Sequence, residues 1–154
     1  MLKLNIIEYN MKNNNKFFIN GKWVDPNSKE TLSVINPATE EVICNISLGN
    51  QSDLDIAVSA ARDAFINYSK SSKEDRLNIL ERIISSYKKR INDLSNAVTI
   101  EMGAPKTLSE KAQVPSGLGH FMQAKKILEN FSFEKRVNSS IVQKEPVGVC
   151  GLIT

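Results

Sequence analysis

The sequence is short of the residues that build special-purpose proteins, and each shortage removes a class of function. Only two cysteines, Cys44 and Cys150, and one histidine, His120, occur in 154 residues. The two thiols lie far apart without CxxC or Cys/His spacing, which argues against a disulfide framework and a zinc site and points to a reducing cytoplasm. No apolar run approaches the roughly 20 residues needed to cross a bilayer, so no membrane span is expected. No block of like charge is longer than Lys88-Lys89-Arg90, and the 20 basic and 17 acidic residues are scattered, for a formal charge of +3. Nucleic-acid binding therefore has no electrostatic footprint. The Asn-rich start has neither a signal-peptide core nor a small-residue cleavage site. Residues 1–16 read as a disordered leader, with Met11 as an alternative start.

What is present suits an ordinary globular chain, with 41% apolar and 24% charged residues. Asn20-Gly21 stands between Phe17-Phe18-Ile19 and Lys22-Trp23-Val24, the strongest local signal for a tight type I′ hairpin. From Thr31 to Leu48, β-branched residues flank Asn36-Pro37-Ala38-Thr39-Glu40 and predict a second, longer hairpin. At Ser52 the period changes: Leu54, Ala57, Val58, Ala61, Phe65 and Tyr68 recur at helical spacing behind a Ser cap. Ser72 and Asp75 form a capping box for a further helix, whose stripe of Leu77, Leu80, Ile83, Ile84, Tyr87, Ile91 and Leu94 runs on, with a bend, to Glu101-Met102. Gly103 and Pro105 supply the stop. A short helix is expected over 106–112, ending near Pro115. Another begins at Ser116 and carries Leu118, Phe121, Met122, Lys125, Leu128 and Phe131.

After Phe133 the pattern reverts to strand, first at Ser139–Gln143 and then in the uninterrupted apolar run Val147–Thr154. Such a run suits a strand covered on both faces of a parallel sheet. No helix follows to cover it, so the sequence reads as part of a larger domain. The fold class is α/β.

The order of these signals resembles the aldehyde dehydrogenase superfamily over Phe17 to Thr154, through FINGKWV, VINPATEEVI, the AVSAARDAF and DRLNIL helices, EMGAP and EPVGVCGLIT. The resemblance implies the N-terminal portion of that fold: hairpins, a helical group, a strand over 139–145 that serves oligomerisation, and over 147–154 the first strand of the cofactor sheet. It implies an oxidoreductase that converts an aldehyde to a carboxylic acid with NAD or NADP. A cysteine thiolate attacks the carbonyl, an Asn amide and a backbone N–H hold the oxyanion, hydride passes to nicotinamide, and a glutamate activates water against the thioester. All of those catalytic residues would lie beyond Thr154, so this chain alone is expected to be inactive. The full-length protein is expected as a homodimer or homotetramer in the cytoplasm.

Three sets of residues acquire candidate roles from the resemblance. Ile153 and Thr154 correspond to a pair that touches the cofactor at a strand's carboxyl end. Val114, Gly117, Leu118 and Phe121 lie on a helix that borders the aldehyde channel, although the same residues serve equally as core. Val34, Ile35 and Glu101 match positions that in some relatives hold a monovalent cation through two carbonyls and a carboxylate, with Glu here in place of the usual Asp. Cys150 and Cys44 read as packed apolar thiols rather than nucleophiles. His120 reads as a packed or surface side chain, and Gly117 and Gly119 as close-packing residues rather than a dinucleotide fingerprint, since no strand precedes them. Two other readings remain beside the enzyme: a non-catalytic relative that binds a dehydrogenase subunit or itself through exposed strands, and a small nucleotide-binding module, for which no NAD affinity is expected.

Overall fold

The computed structural model describes residues 14–153; residues 1–13 of the expected leader and Thr154 lie outside them. The last three residues of that leader are tied to the hairpins, Asn14 donating to the Asn45 carbonyl at 2.7 Å, Ser47 to the Asn15 carbonyl at 3.0 Å and Lys16 pairing with Asp25 at 2.9 Å. Two hairpins open the chain. Strands β1 (Phe17–Ile19) and β2 (Lys22–Val24) pair antiparallel around Asn20 and Gly21, both at positive φ as the type I′ turn requires. Strands β3 (Thr31–Ile35) and β4 (Val42–Ser47) form the longer hairpin, with a register shift between Val34 and Ile35 and a turn closed by Asn36 N–H donating to the Glu41 carbonyl, 2.9 Å.

Helix α1 (Gln51–Tyr68) begins two residues earlier than its Ser suggested, because Asn50 rather than Ser52 is the cap. Asn50 accepts from the Asp53 N–H at 3.1 Å, and Asp53 accepts from the Asn50 N–H at 3.0 Å. Asp53 also accepts from the backbone and side chain of Asn27, at 2.8 and 3.0 Å, which ties the loop after β2 to the start of α1. Helix α2 (Lys73–Lys89) has the expected Ser72/Asp75 box. The expected bend is a break: Arg90 leaves helical geometry at φ −113°, ψ 17° and separates α2 from α3 (Ile91–Met102). Gly103 closes α3 in the left-handed conformation at φ +65°.

The expected short helix ending near Pro115 is instead one continuous path. A turn of helix, α4 (Lys106–Leu108), passes through a π-helical turn (Ser109–Gln113) into α5 (Val114–Asn130). Pro115 sits at the first positions of α5, where its missing N–H costs least, so it starts a helix rather than ending one. Helix α5 packs along α2. Among the described residues the buried apolar side chains are few, Ile84, Ala104 and Val114, and all belong to this helical group.

Strand β6 (Ser140–Gln143) appears where a strand was expected, with a partner that the charged sequence Glu-Lys-Arg-Val concealed, β5 (Glu134–Val137). Both strands are exposed along their whole length. Of the strand expected over 147–154, the described residues 147–153 form none: Gly148 turns to φ +136° and no ladder partner adjoins the segment among the described residues. Val147, Leu152 and Ile153 are 97%, 93% and 97% exposed. A strand exists only through its neighbour's hydrogen bonds, and apolar composition alone does not supply one.

Candidate functional site

The best-defined arrangement of candidate residues lies where α5 begins. Tyr87, one turn from the end of α2, donates its phenol O–H to the Val114 carbonyl at 2.8 Å. Its ring meets that of Phe121 at 6.1 Å between centroids. A Cβ on Gly117 would stand 2.5 Å from the Tyr87 hydroxyl, closer than any real carbon sits. Residues 114, 117 and 121 recur at helical spacing and share one face, so three of the four channel candidates meet the same tyrosine. Val114 is 2% exposed and has no surface of its own to offer a ligand, while Leu118 and Phe121 are half-buried. The opposite face of α5 carries Ser116, Gly119, His120 and Gln123, all exposed. Gly117 thus has the packing role expected of it, whereas Gly119 has no neighbour within 4 Å of a Cβ.

The π turn leading into this face is braced from beneath. Ser109 is fully buried, and Thr99 on α3 donates to its hydroxyl at 2.8 Å. Pro115 has no N–H to give the carbonyl four residues back, which disfavours a regular α ladder here. Sequence periodicity had no means of finding Tyr87 or Thr99 as partners of this turn, because 27 and 10 residues separate the bonded groups.

The cation candidates come from two elements brought to one place. A Cβ on Gly103 would lie 2.8 Å from the Ala38 backbone nitrogen, so the end of α3 abuts the β3–β4 turn that starts directly after Ile35. Val34 is half-buried, and Ile35 and Glu101 are exposed. The C-terminal end of α3 contributes partial negative charge there. Among the described residues no cluster of three or more His, Cys, Asp or Glu side chains exists.

Of the cofactor pair, Ile153 is exposed and Thr154 lies outside the described residues. Cys150, expected to be packed, is exposed, its thiol 3.9 Å from the Gly148 carbonyl, because the segment around it has no covering layer. Cys44 is half-buried within β4, and His120 is on the surface.

A cleft of about 740 Å³ opens between the start of α2 and the residues after β6. The Arg76 guanidinium lies 5.2 Å from the Phe133 ring centre, and the Lys144 ammonium 4.4 Å from that of Phe131. Two of the cations near it have work in the fold: Arg76 donates to Ser71 at 2.9 Å, and Lys73 donates to the Glu129 carbonyl at the end of α5, 3.0 Å. Farther along the same helix pair, Lys125 meets Glu81 at 2.7 Å. Hydrogen bonding to Lys125, then its charge, lowers the Glu81 carboxyl, and the same contacts raise the lysine. Asp53 is held below the ordinary carboxylate range by the Asn27 N–H first and the Asn50 N–H next, and Asp75 by the Ser72 side chain and then its N–H.

This succession of hairpins, helices and closing hairpin is shared with known structures. The model of the aldehyde dehydrogenase family matches residues 23–154. The chain belongs to that family. A Staphylococcus haemolyticus protein that carries the aldehyde dehydrogenase name is 44% identical over 144 residues, which cover 94% of this chain and 30% of the relative. A Staphylococcus aureus protein of the same name is 45% identical over the same shares. The chain thus spans about a third of the length of the curated relatives it matches. Among solved structures, the Bartonella henselae aldehyde dehydrogenase superposes with a TM-score of 0.80 at 37% identity, over 83% of this chain and 28% of that one. A mutant of Pseudomonas syringae aldehyde dehydrogenase C, in complex with NAD+ and octanal, gives 0.84 at 34% identity, over 86% and 27%. Family and fold are those expected from the motifs.

Proposed function

We propose that this sequence is the N-terminal part of an NAD(P)-dependent dehydrogenase that oxidises an aldehyde to a carboxylic acid through a cysteine thioester, and that these 154 residues alone turn over no substrate. The observation that carries the reading is the family match along nearly the whole described chain, together with the superposition on a relative holding NAD+ and octanal. The proposed roles are supporting ones. Helix α5 borders the aldehyde. Its core side is taken up by Tyr87, so contact falls on the free face of Ser116, Gly119 and Gln123, flanked by Leu118 and Phe121, with Val114 and Gly117 setting the helix in place. Ile153 and Thr154 meet the cofactor. No step of the reaction is assigned to the described residues. Val34 and Ile35 carbonyls with Glu101 hold a monovalent cation beside the β3–β4 turn.

The exposed β5–β6 hairpin favours assembly of the full protein as a homodimer or homotetramer, since a free strand edge presents unpaired N–H and C=O groups. It equally motivates a second reading, a non-catalytic relative that binds a dehydrogenase subunit by strand addition. The cytoplasm is the proposed location. One experiment separates these readings: the purified full gene product is mixed with NAD+ or NADP+ and octanal, absorbance at the reduced-nicotinamide band is followed, and the protein is run on size-exclusion chromatography with and without a separate dehydrogenase subunit. Reduced cofactor formed with aldehyde supports the enzyme. No turnover, with co-elution alongside a dehydrogenase, supports the binding reading and refutes the first.

A further inference from the structure

We infer that Tyr87 is a positioning residue for aldehyde recognition, acting through the first turn of α5; this rests on the reading that α5 borders the aldehyde. Three observations converge on its side chain. The hydroxyl is bonded to the Val114 carbonyl at 2.8 Å, at the residue where the π turn gives way to α5. The absence of a side chain on Gly117 lets that hydroxyl come so close that a Cβ would be 2.5 Å away. The ring rests against Phe121 two turns on.

The consequence is geometric. A π turn adds a residue to the helical path and rotates everything after it, so the direction of the free α5 face depends on the turn staying put. Two side chains hold it from outside its own backbone: the Thr99 hydroxyl at its first residue, Ser109, and the Tyr87 hydroxyl at Val114 directly after its last. Both contacts join a half-buried side chain, Thr99 or Tyr87, to a buried residue of the turn, and Tyr87 grips a main-chain oxygen. A small slip of the Val114 turn would move the Ser116 and Gly119 positions without unfolding α5, and binding groups misplaced by an ångström lose efficiency steeply.

The test is steady-state kinetics of the full gene product and its Tyr87→Phe variant with octanal and NAD+. We expect KM for the aldehyde to rise about fivefold, the weight of one lost hydrogen bond, with kcat and the KM for NAD+ unchanged. Unchanged aldehyde KM alongside a lower Tm would make the contact purely structural and overturn the inference, as would parallel changes in both KM values. If Tyr87→Phe fails to fold, Thr99→Val removes the other brace on the same turn and is read in the same way. An unsubstituted protein that oxidises no aldehyde refutes the functional reading itself, a result distinct from an active enzyme indifferent to position 87.

Discussion

Replacing Gly117 by Ala puts the packing of α5 on α2 to a quantitative test. In an unconstrained helix interior the change stabilises by roughly 0.5–1 kcal/mol, because alanine loses less backbone entropy than glycine. Here the new methyl would stand 2.5 Å from the Tyr87 hydroxyl and 3.3 Å from the ring carbon that bears it. The hydroxyl must leave, which gives up its bond to Val114, worth about 0.5–1.5 kcal/mol. Overpacking adds about 1–3 kcal/mol where neighbours yield poorly. The net expectation is destabilisation by about 1–3 kcal/mol. In a Tyr87→Phe background the obstructing oxygen is gone, so the same Gly117→Ala change should fall to about zero or become slightly stabilising. Urea midpoints of the four proteins close the cycle, with a coupling of at least about 1 kcal/mol. Additive effects, or a stabilising Gly117→Ala in the unsubstituted protein, would show that Tyr87 and Gly117 do not meet as described.

Other outcomes follow from the same structure. Gly103→Ala should cost at least about 1–2 kcal/mol in thermal or urea unfolding, since φ is +65° and the methyl would meet the Ala38 nitrogen at 2.8 Å. Ser72→Ala should cost about 1 kcal/mol through the lost cap of α2, read from the same curves. Asp53 and Asp75 have lowered folded pKa values, so their contribution is present above the unfolded value near 3.9 and is lost as pH falls through the folded values. Asp53→Asn should therefore flatten the acid limb of the stability profile, and an unchanged slope between about pH 2 and 4 would contradict it. Amide hydrogen exchange of the 154-residue chain should show little protection at residues 147–153, where no ladder partner is described.

Much of the local structure was legible because its causes are local. Asn20-Gly21 takes two positive φ values that few other pairs accept, Ser72 and Asp75 close a box three residues wide, and Gly103 ends its helix alone. The misreadings lie where a distant partner decided. Asn50 displaced Ser52 as the cap because Asp53, three residues ahead, is also needed by Asn27. Strand β5 escaped notice because Glu-Lys-Arg-Val has no alternation of apolar residues, and only its pairing with β6 makes it a strand. Along α1, Leu54 and Tyr68 belong to the predicted apolar stripe yet are 55% and 54% exposed, since nothing described covers the face at either end of the helix.

By itself the sequence determined the family, the order of the elements and the chemistry of each turn and cap, all of which depend on residues a few places apart. Tertiary structure decided which side of α5 is occupied by the fold and which is left open. It also brought the end of α3 against the β3–β4 turn and left the Cys150 segment uncovered. Those outcomes rest on contacts across tens of residues, such as Tyr87 with Val114 and Gly103 with Ala38, whose geometry no periodicity along the chain encodes.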